Sequence, residues 1–323
     1  MIFKINLLTI VVSVYNEEEV LEIFLADLEN HLINLGVDYE VIFVNDGSND
    51  RSKDILFDLS QRNSKIKVIS FSKNFGHEAA MIAGIDYSRG DAVICMDSDL
   101  QHPPSKLKEM IDKYIEGFDV ITMVRNQNQN ITMIKKITSY IFYHFLNLLS
   151  VVKFEPNASD FFLISRRVAN IIRDNFLERT RFLRGFIQAV GFQRAIIEYN
   201  PLRRVAGQTK YSLYKLFIFS INAVIAFSNI PLRFGIIIGV IVGLASITVG
   251  IFSIIMKFVL GYVIPGYTTL VVMISFLLAI QFFLLGIIGE YVGFIFNEIK
   301  KRPIYIVEDE VNISRNNNEV KYN

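Results

Sequence analysis

A single cysteine, Cys95, in 323 residues excludes an internal disulfide and any cysteine-based zinc site. It lies within an apolar run and is expected to be inert core rather than a nucleophile. The net charge is only +1, and no basic stripe with interleaved aromatics occurs, so nucleic acid is not an expected partner. Two phosphate-binding signatures are missing as well. No G-x-G-x-x-G follows the first predicted strand, and G-x-x-x-x-G-K-[ST] occurs nowhere. A bound diphosphate would therefore need another source of positive charge. The first dozen residues are apolar but run straight into Tyr15-Asn16-Glu17 without a small-residue cleavage site, which makes them a first strand and not a signal peptide.

What is present centres on Cys95 to Pro104, C-M-D-S-D-L-Q-H-P-P. The apolar run from Asp91 to Met96 predicts a buried strand with Asp97 and Asp99 at its end. Side chains alternate along a strand, so the two carboxylates share a direction only while the backbone stays extended. Hard anionic oxygens that close suit Mg²⁺ or Mn²⁺, which take their remaining ligands from water and phosphates. Around this stretch, apolar runs predict strands at 7–15, 39–44, 66–71 and 119–124, with helices between them. Asn16 to Glu19 is expected to cap the first helix. Such alternation implies βαβ units and a mostly parallel sheet, whose ligands bind at the carboxyl ends of its strands.

Beyond residue 130 the pattern changes. A helix is expected over 131–149, a strand over 159–164, a basic amphipathic segment over 179–190 and a late strand over 192–199. Hydrophobic residues make up 52% of the chain, and the excess lies in 231–296, which has very little charge. Two transmembrane helices are expected there, at 232–256 and 268–296, joined by a hairpin with Gly261, Pro265 and Gly266. The aromatic segment 210–229, with Phe217, Phe219 and Phe227 as anchors, suits a helix lying in the membrane interface. Basic residues cluster before the first span (Arg203, Arg204, Lys210, Lys215, Arg233) and after the second (Lys300, Lys301, Arg302). That asymmetry places both termini and the large domain in the cytoplasm, with Arg203 to Lys215 also forming a patch for anionic lipid. Glu290 is costly in lipid and is expected near the interface or against a partner helix. The tail after Glu308 is polar, Asn-rich and expected to be disordered.

Six motifs in order, V-V-S-V-Y-N-E-E, V-N-D-G-S-N-D, N-F-G-H-E-A-A, D-S-D-L-Q-H-P-P, S-D-F-F-L-I-S-R-R and R-V-A-G-Q-T-K-Y-S, resemble the family 2 glycosyltransferases of GT-A fold. Within them the chain resembles the polyprenyl-phosphate glycosyltransferases, the group of dolichol-phosphate mannose synthase and the bactoprenol glucosyltransferases. The likeness covers about residues 7–302. It implies a cytoplasmic GT-A nucleotide-diphospho-sugar transferase domain over 1–205, a basic loop and interfacial helix over 206–230, a two-helix membrane hairpin over 231–298 and a tail over 299–323. The implied setting is a bacterial plasma membrane, crossed more than once, with homo-oligomers (tetramers) in the branch.

By the same resemblance a hexose, with UDP-glucose the leading donor and GDP-mannose or another UDP-sugar the alternatives, passes to undecaprenyl phosphate with inversion. Tyr15, Glu17, Asp46 and Asp97 are implied at the nucleotide, and Asp97, Asp99 and Gln101 at the metal and diphosphate. Arg125 and Ser139 are implied at the lipid phosphate, Arg204 and Lys210 near the phosphates, and Asp160 beside the reacting centre. The chain departs from the family pattern at Ser13, where proline is usual. It departs again at Asn126 to Gln129, where a second arginine is common and Lys135 or Lys136 would have to substitute. The acceptor phosphate has a second pKa of about 6 and scarcely needs a general base, so Asp160 is expected to position groups rather than accept a proton. His77 is expected to cap or pack, whereas His102 is open between a metal contact and a turn role. Lack of tryptophan and of further spans excludes the processive members with their Q-x-x-R-W motif. A non-catalytic, membrane-anchored nucleotide-sugar sensor is the reading from another class.

Overall fold

The structure is a computed structural model that describes residues 4–126, 155, 158–176, 178, 183–201, 230–259 and 266–313. The chain divides into two compact units, one of 1–144, 152–212 and 302–323, the other of 145–151 and 213–301. The expected helix at 131–149, the basic loop and the interfacial segment up to 229 lie outside the described residues.

In the first unit, eight strands form one sheet in the order β7-β5-β6-β4-β1-β2-β3-β8. They are β1 (Leu7–Val14), β2 (Asp38–Asn45), β3 (Ile66–Phe71), β4 (Ala92–Asp97), β5 (Val120–Arg125), β6 (Ala158–Ser165), β7 (Arg194–Tyr199) and β8 (Val307–Val311). β1, β2, β3 and β4 pair in parallel, as do β5 and β7. β6 runs antiparallel between β4 and β5, and β8 runs antiparallel along β3. The sheet is therefore mixed where a mostly parallel one was expected.

The near-continuous apolar runs of β1 and β4 follow from burial on both faces. Ile10, Val12, Ile94 and Met96 face α1 (Leu21–Ile33) and, after a short 3₁₀ turn, α4 (Leu107–Ile115), in a core with Phe24, Leu28, Leu107 and Met110. Val11, Val93 and Cys95 face the other way, onto α3 (His77–Tyr87) and α5 (Arg166–Asn175), meeting Met81, Ile85, Val168 and Ile172. Cys95 is fully buried and burial pushes its thiol well up, which fits inert core. Gly84 lets α3 lie directly on β1, since a Cβ there would stand 2.0 Å from Val11 Cγ1. That close approach brings the first turn of α3 to the carboxyl ends of β1 and β4. The remaining helices of this unit are α2 (Ser52–Arg62) and α6 (Leu183–Ala189).

The tail departs from expectation, because β8 occupies the sheet edge that a disordered segment would leave open. Its acidic residues are paired: Lys53 Nζ reaches Glu308 at 2.8 Å and Asp309 at 2.6 Å, and Tyr87 donates to Glu310 at 2.8 Å. Just upstream, the Tyr305 ring stacks on Phe71 at 5.1 Å and its hydroxyl donates to Asp86 at 2.9 Å. Polar composition concealed a strand whose partners lie more than two hundred residues earlier.

The second unit contains α7 (Ile230–Val259) and α8 (Tyr267–Ile299), which cover the two expected spans. Within α8, Phe276–Ile299 has a mean hydropathy of 1.9 with none of it buried, and is the one segment among the described residues long and apolar enough to cross a membrane. The corresponding apolar stretch in α7 is the shorter Ile237–Val249. Glu290 is exposed on α8.

Tyr305→Ala removes a ring stack and a hydrogen bond from the β8 strap and is expected to cost about 2 kcal/mol. The heat-induced labelling of the buried Cys95 thiol by a maleimide dye measures it. Tyr305→Ala should lower the midpoint by several degrees, while Ile306→Ala, at a side chain 47% exposed, should leave it in place.

Candidate active site

Polar side chains gather at the carboxyl ends of β1, β2 and β4, where open α/β sheets take their ligands. The first two motifs are laced together there. The Asn16 and Glu17 N–H groups donate to Ser48 Oγ and Ser52 Oγ at 3.0 and 2.9 Å, the Asn49 N–H donates to Asn16 Oδ1 at 2.8 Å, and the Arg51 N–H donates to Glu18 at 2.9 Å. Asn16 and Glu18 are thus engaged across the loops, and α1 begins only at Leu21 with no side-chain cap, contrary to the expected helix start. Tyr15, expected at the nucleotide with Glu17, stands exposed on this rim.

Asp46 is buried, and its carboxylate accepts from the Phe75 N–H at 2.6 Å and the Gly76 N–H at 3.0 Å. Burial pushes its carboxyl up against those two bonds. Gly47 follows at φ +63°, and a Cβ on it would lie 2.3 Å from the Lys73 carbonyl carbon. The D-G turn and the N-F-G-H loop are therefore fixed to each other by a carboxylate and by a contact that only glycine permits.

β4 ends at Asp97, and the chain then bends, with Leu100 at φ +63°. The two carboxylates of the D-x-D come from a turn and not from extended strand. The Asp97 N–H donates to His102 Nδ1 at 2.9 Å, and the Gln101 N–H donates to Asp99 Oδ1 at 3.0 Å. His102 is fully buried, with its ring stacked on Phe161 at 5.1 Å, and burial lowers its imidazole. Its Nδ1 closes the turn, which decides between the two roles left open for it. Arg125 Nη2 lies 3.3 Å from His102 Nε2, and Arg125 Nε donates to Tyr199 Oη at 3.0 Å.

β6 brings the remaining group. Its register pairs Cys95 with Phe162, so two residues further Asp160 comes level with Asp97. Arg184, from α6, grips Asp160 through both oxygens, Nε to Oδ1 and Nη2 to Oδ2, each at 2.6 Å. Burial works to raise Asp160, but Arg184 and then His77 outweigh it and hold the carboxyl well below the usual range. Arg184 was not legible as a site residue, and His77 is more than a cap. Its Nε2 lies 3.5 Å from Asp97 Oδ1 and 3.5 Å from Asp160 Oδ2. Burial alone would lower His77, yet Asp97, Asp160 and Glu78 together push it up to about 10. Beside it, Glu78 accepts from the Leu183 N–H at 2.9 Å, and burial with the Asp160 charge pushes its carboxyl up to about 7.

Among the described residues no three His, Cys, Asp or Glu side chains form a cage for a metal ion. Asp97 and Asp99, with the neighbouring Gln101, instead offer a few hard oxygens at an open turn. That donor set fits a divalent ion that keeps waters and phosphate oxygens in its shell. Of the other expected site residues, Lys135, Ser139, Arg204 and Lys210 lie outside the described residues.

Gly47→Ala should cost more than the about 1–2 kcal/mol of left-handed strain, because the Lys73–Asn74 backbone must also move. Gly36, at φ +68° with nothing within 4 Å of where an added Cβ would stand, is the control that carries strain alone. Unfolding midpoints should fall further for Gly47→Ala than for Gly36→Ala.

Comparison with known proteins gives this geometry a context. Residues 9–171 match glycosyl transferase family 2. An uncharacterized glycosyltransferase of Synechocystis sp. is 41% identical over 302 residues, covering 94% of this chain and 95% of its own. The bactoprenol glucosyl transferase of Shigella phage SfV is 36% identical over 303 residues, covering 94% and 98%. A prophage bactoprenol glucosyl transferase homolog of Escherichia coli (strain K12) is 35% identical over 301 residues, covering 93% and 98%. With motifs, sheet and matches running through the same residues, the chain belongs to glycosyl transferase family 2.

Proposed function

We propose that the protein transfers a hexose, with glucose from UDP-glucose the leading case, to undecaprenyl phosphate with inversion at the anomeric carbon. The observation that carries this reading is the placement of Asp160, clamped by Arg184, level with the carboxylate that ends β4. Similarity over nearly the whole length to bactoprenol glucosyl transferases supports the lipid acceptor. Tyr15 and Glu17 line the nucleotide on the rim of β1, while Asp46 holds the loop beneath it. A bound Mg²⁺ or Mn²⁺ on Asp97, Asp99 and Gln101 would neutralise charge on the departing diphosphate. Arg204 and Lys210 add positive charge to the same phosphates. Arg125, oriented by Tyr199, holds the acceptor phosphate with Ser139 and Lys135.

An acceptor phosphate with a second pKa of about 6 is mostly a dianion at pH 7 and attacks without help from a base. Asp160 has too little proton affinity to serve as one, and its task is to fix charge beside the reacting carbon. The helices α7 and α8 form a two-span membrane hairpin that keeps this domain at the cytoplasmic face of a bacterial plasma membrane. Several copies assemble there.

The test is transfer of radiolabel from a panel of UDP- and GDP-sugars to undecaprenyl phosphate by purified protein, with and without EDTA. One donor should give a metal-dependent, lipid-extractable product, and Asp99→Asn should lower its rate about a hundredfold or more. Nucleotide-sugar binding without any lipid product would overturn the transferase reading in favour of a membrane-anchored sensor. The pH profile of kcat/KM should show an acid limb near pH 6 from the acceptor, and Asp160→Asn should lower the rate without removing that limb.

A further inference from the structure

The N-F-G-H-E stretch holds a side chain to which the proposed reaction gives no task. His77 opens α3 behind Gly76, at φ +101°, and its ring is fixed on both sides. Nδ1 lies 2.8 Å from Ser13 Oγ, and that hydroxyl also lies 3.4 Å from Asp97 Oδ1. Nε2 is buried without a hydrogen-bond partner and sits 3.5 Å from one oxygen each of Asp97 and Asp160. Ionised carboxylate oxygens only accept, so Nε2 facing two of them carries a hydrogen whichever tautomer Ser13 selects. A buried donor left without a full bond is costly. This one stands midway between two acceptors, and a shift of a few tenths of an ångström would bond it to either. Next along the helix, Glu78 accepts from the Leu183 N–H and so anchors the helix whose next residue, Arg184, grips Asp160 from its other side.

We propose that His77 is a positioning residue for sugar transfer, its ring pinned by Ser13 so that Nε2–H bridges Asp97 and Asp160. The bridge keeps the carboxylate at the diphosphate in register with the carboxylate beside the reacting carbon. This rests on the transferase reading given above. It also assigns Ser13 a task, as the group that orients the imidazole.

The experiment compares His77→Asn, His77→Gln and Ser13→Ala in the full-length protein. An asparagine amide reaches only the Nδ1 position and keeps the Ser13 partner, whereas a glutamine amide extends to the Nε2 position. His77→Asn should lower kcat tenfold or more, with KM for the donor within about twofold. His77→Gln should restore most of that loss, and Ser13→Ala should lower kcat a fewfold. Two further readouts are binding of Mn²⁺ in the presence of UDP, by electron paramagnetic resonance, and the midpoint of Cys95 labelling. Both should stay near wild type in His77→Asn. Full activity in His77→Asn, or a loss that tracks a lowered midpoint and is not rescued by glutamine, overturns the positioning role alone. A wild-type protein that makes no lipid-linked sugar overturns the reaction itself, and the role of His77 falls with it.

Discussion

Three carboxylates, Asp97, Asp160 and Glu78, converge in a partly dry space at the ends of β4 and β6, and the structure around them is arranged to hold that charge. Taking carboxylates out of water costs several kcal/mol each unless cations and hydrogen bonds replace the solvent. Arg184 supplies two short bonds to Asp160, His77 lies between Asp160 and Asp97, and Glu78 is partly relieved by a backbone N–H. Each of these groups sits on an element whose place is set elsewhere. α3 reaches the site because Gly84 lets it lie on β1, and the loop before it is held by Asp46 and Gly47. α6 is held by Glu78 through its first N–H.

Much of this was legible in the sequence, and what was not has a common cause. The strands from β1 to β5 and the helices between them follow from apolar runs and their interruptions, because each is decided by neighbours close in the chain. Asp97, Asp99 and Asp160 stand out as acids at strand ends for the same reason. The antiparallel entry of β6 between β4 and β5 depends on pairing across a long separation, so the juxtaposition of Asp160 with Asp97 could not be read. Arg184 looked like one basic residue in an amphipathic segment until that juxtaposition gave it a partner. β8 was hidden more completely, since its acidic residues read as a solvated tail and their partners, Lys53 and Tyr87, lie at the other end of the domain.

The D-x-D illustrates the difference between a motif and its geometry. Strand alternation would align the two carboxylates only in an extended chain, yet β4 stops at the first of them. The alignment is left to a turn closed by His102 Nδ1 on the Asp97 N–H and by Asp99 Oδ1 on the Gln101 N–H. A buried histidine stacked on Phe161 makes that turn part of the core rather than of the surface. The site is thus rigid on its protein side and open toward the ligand, which suits an ion shared with a diphosphate better than one enclosed by the chain.

The central claim is that a divalent ion binds here jointly with a nucleotide diphosphate, on the two carboxylates of the turn. Titration of the full-length protein with Mn²⁺, followed by electron paramagnetic resonance with and without UDP, tests it most directly. The account predicts weak binding of the ion alone, much tighter binding with UDP, and loss of the UDP-dependent component when Asp97 and Asp99 are both changed to asparagine. Binding equally tight without UDP, or unaffected by the double substitution, would contradict it.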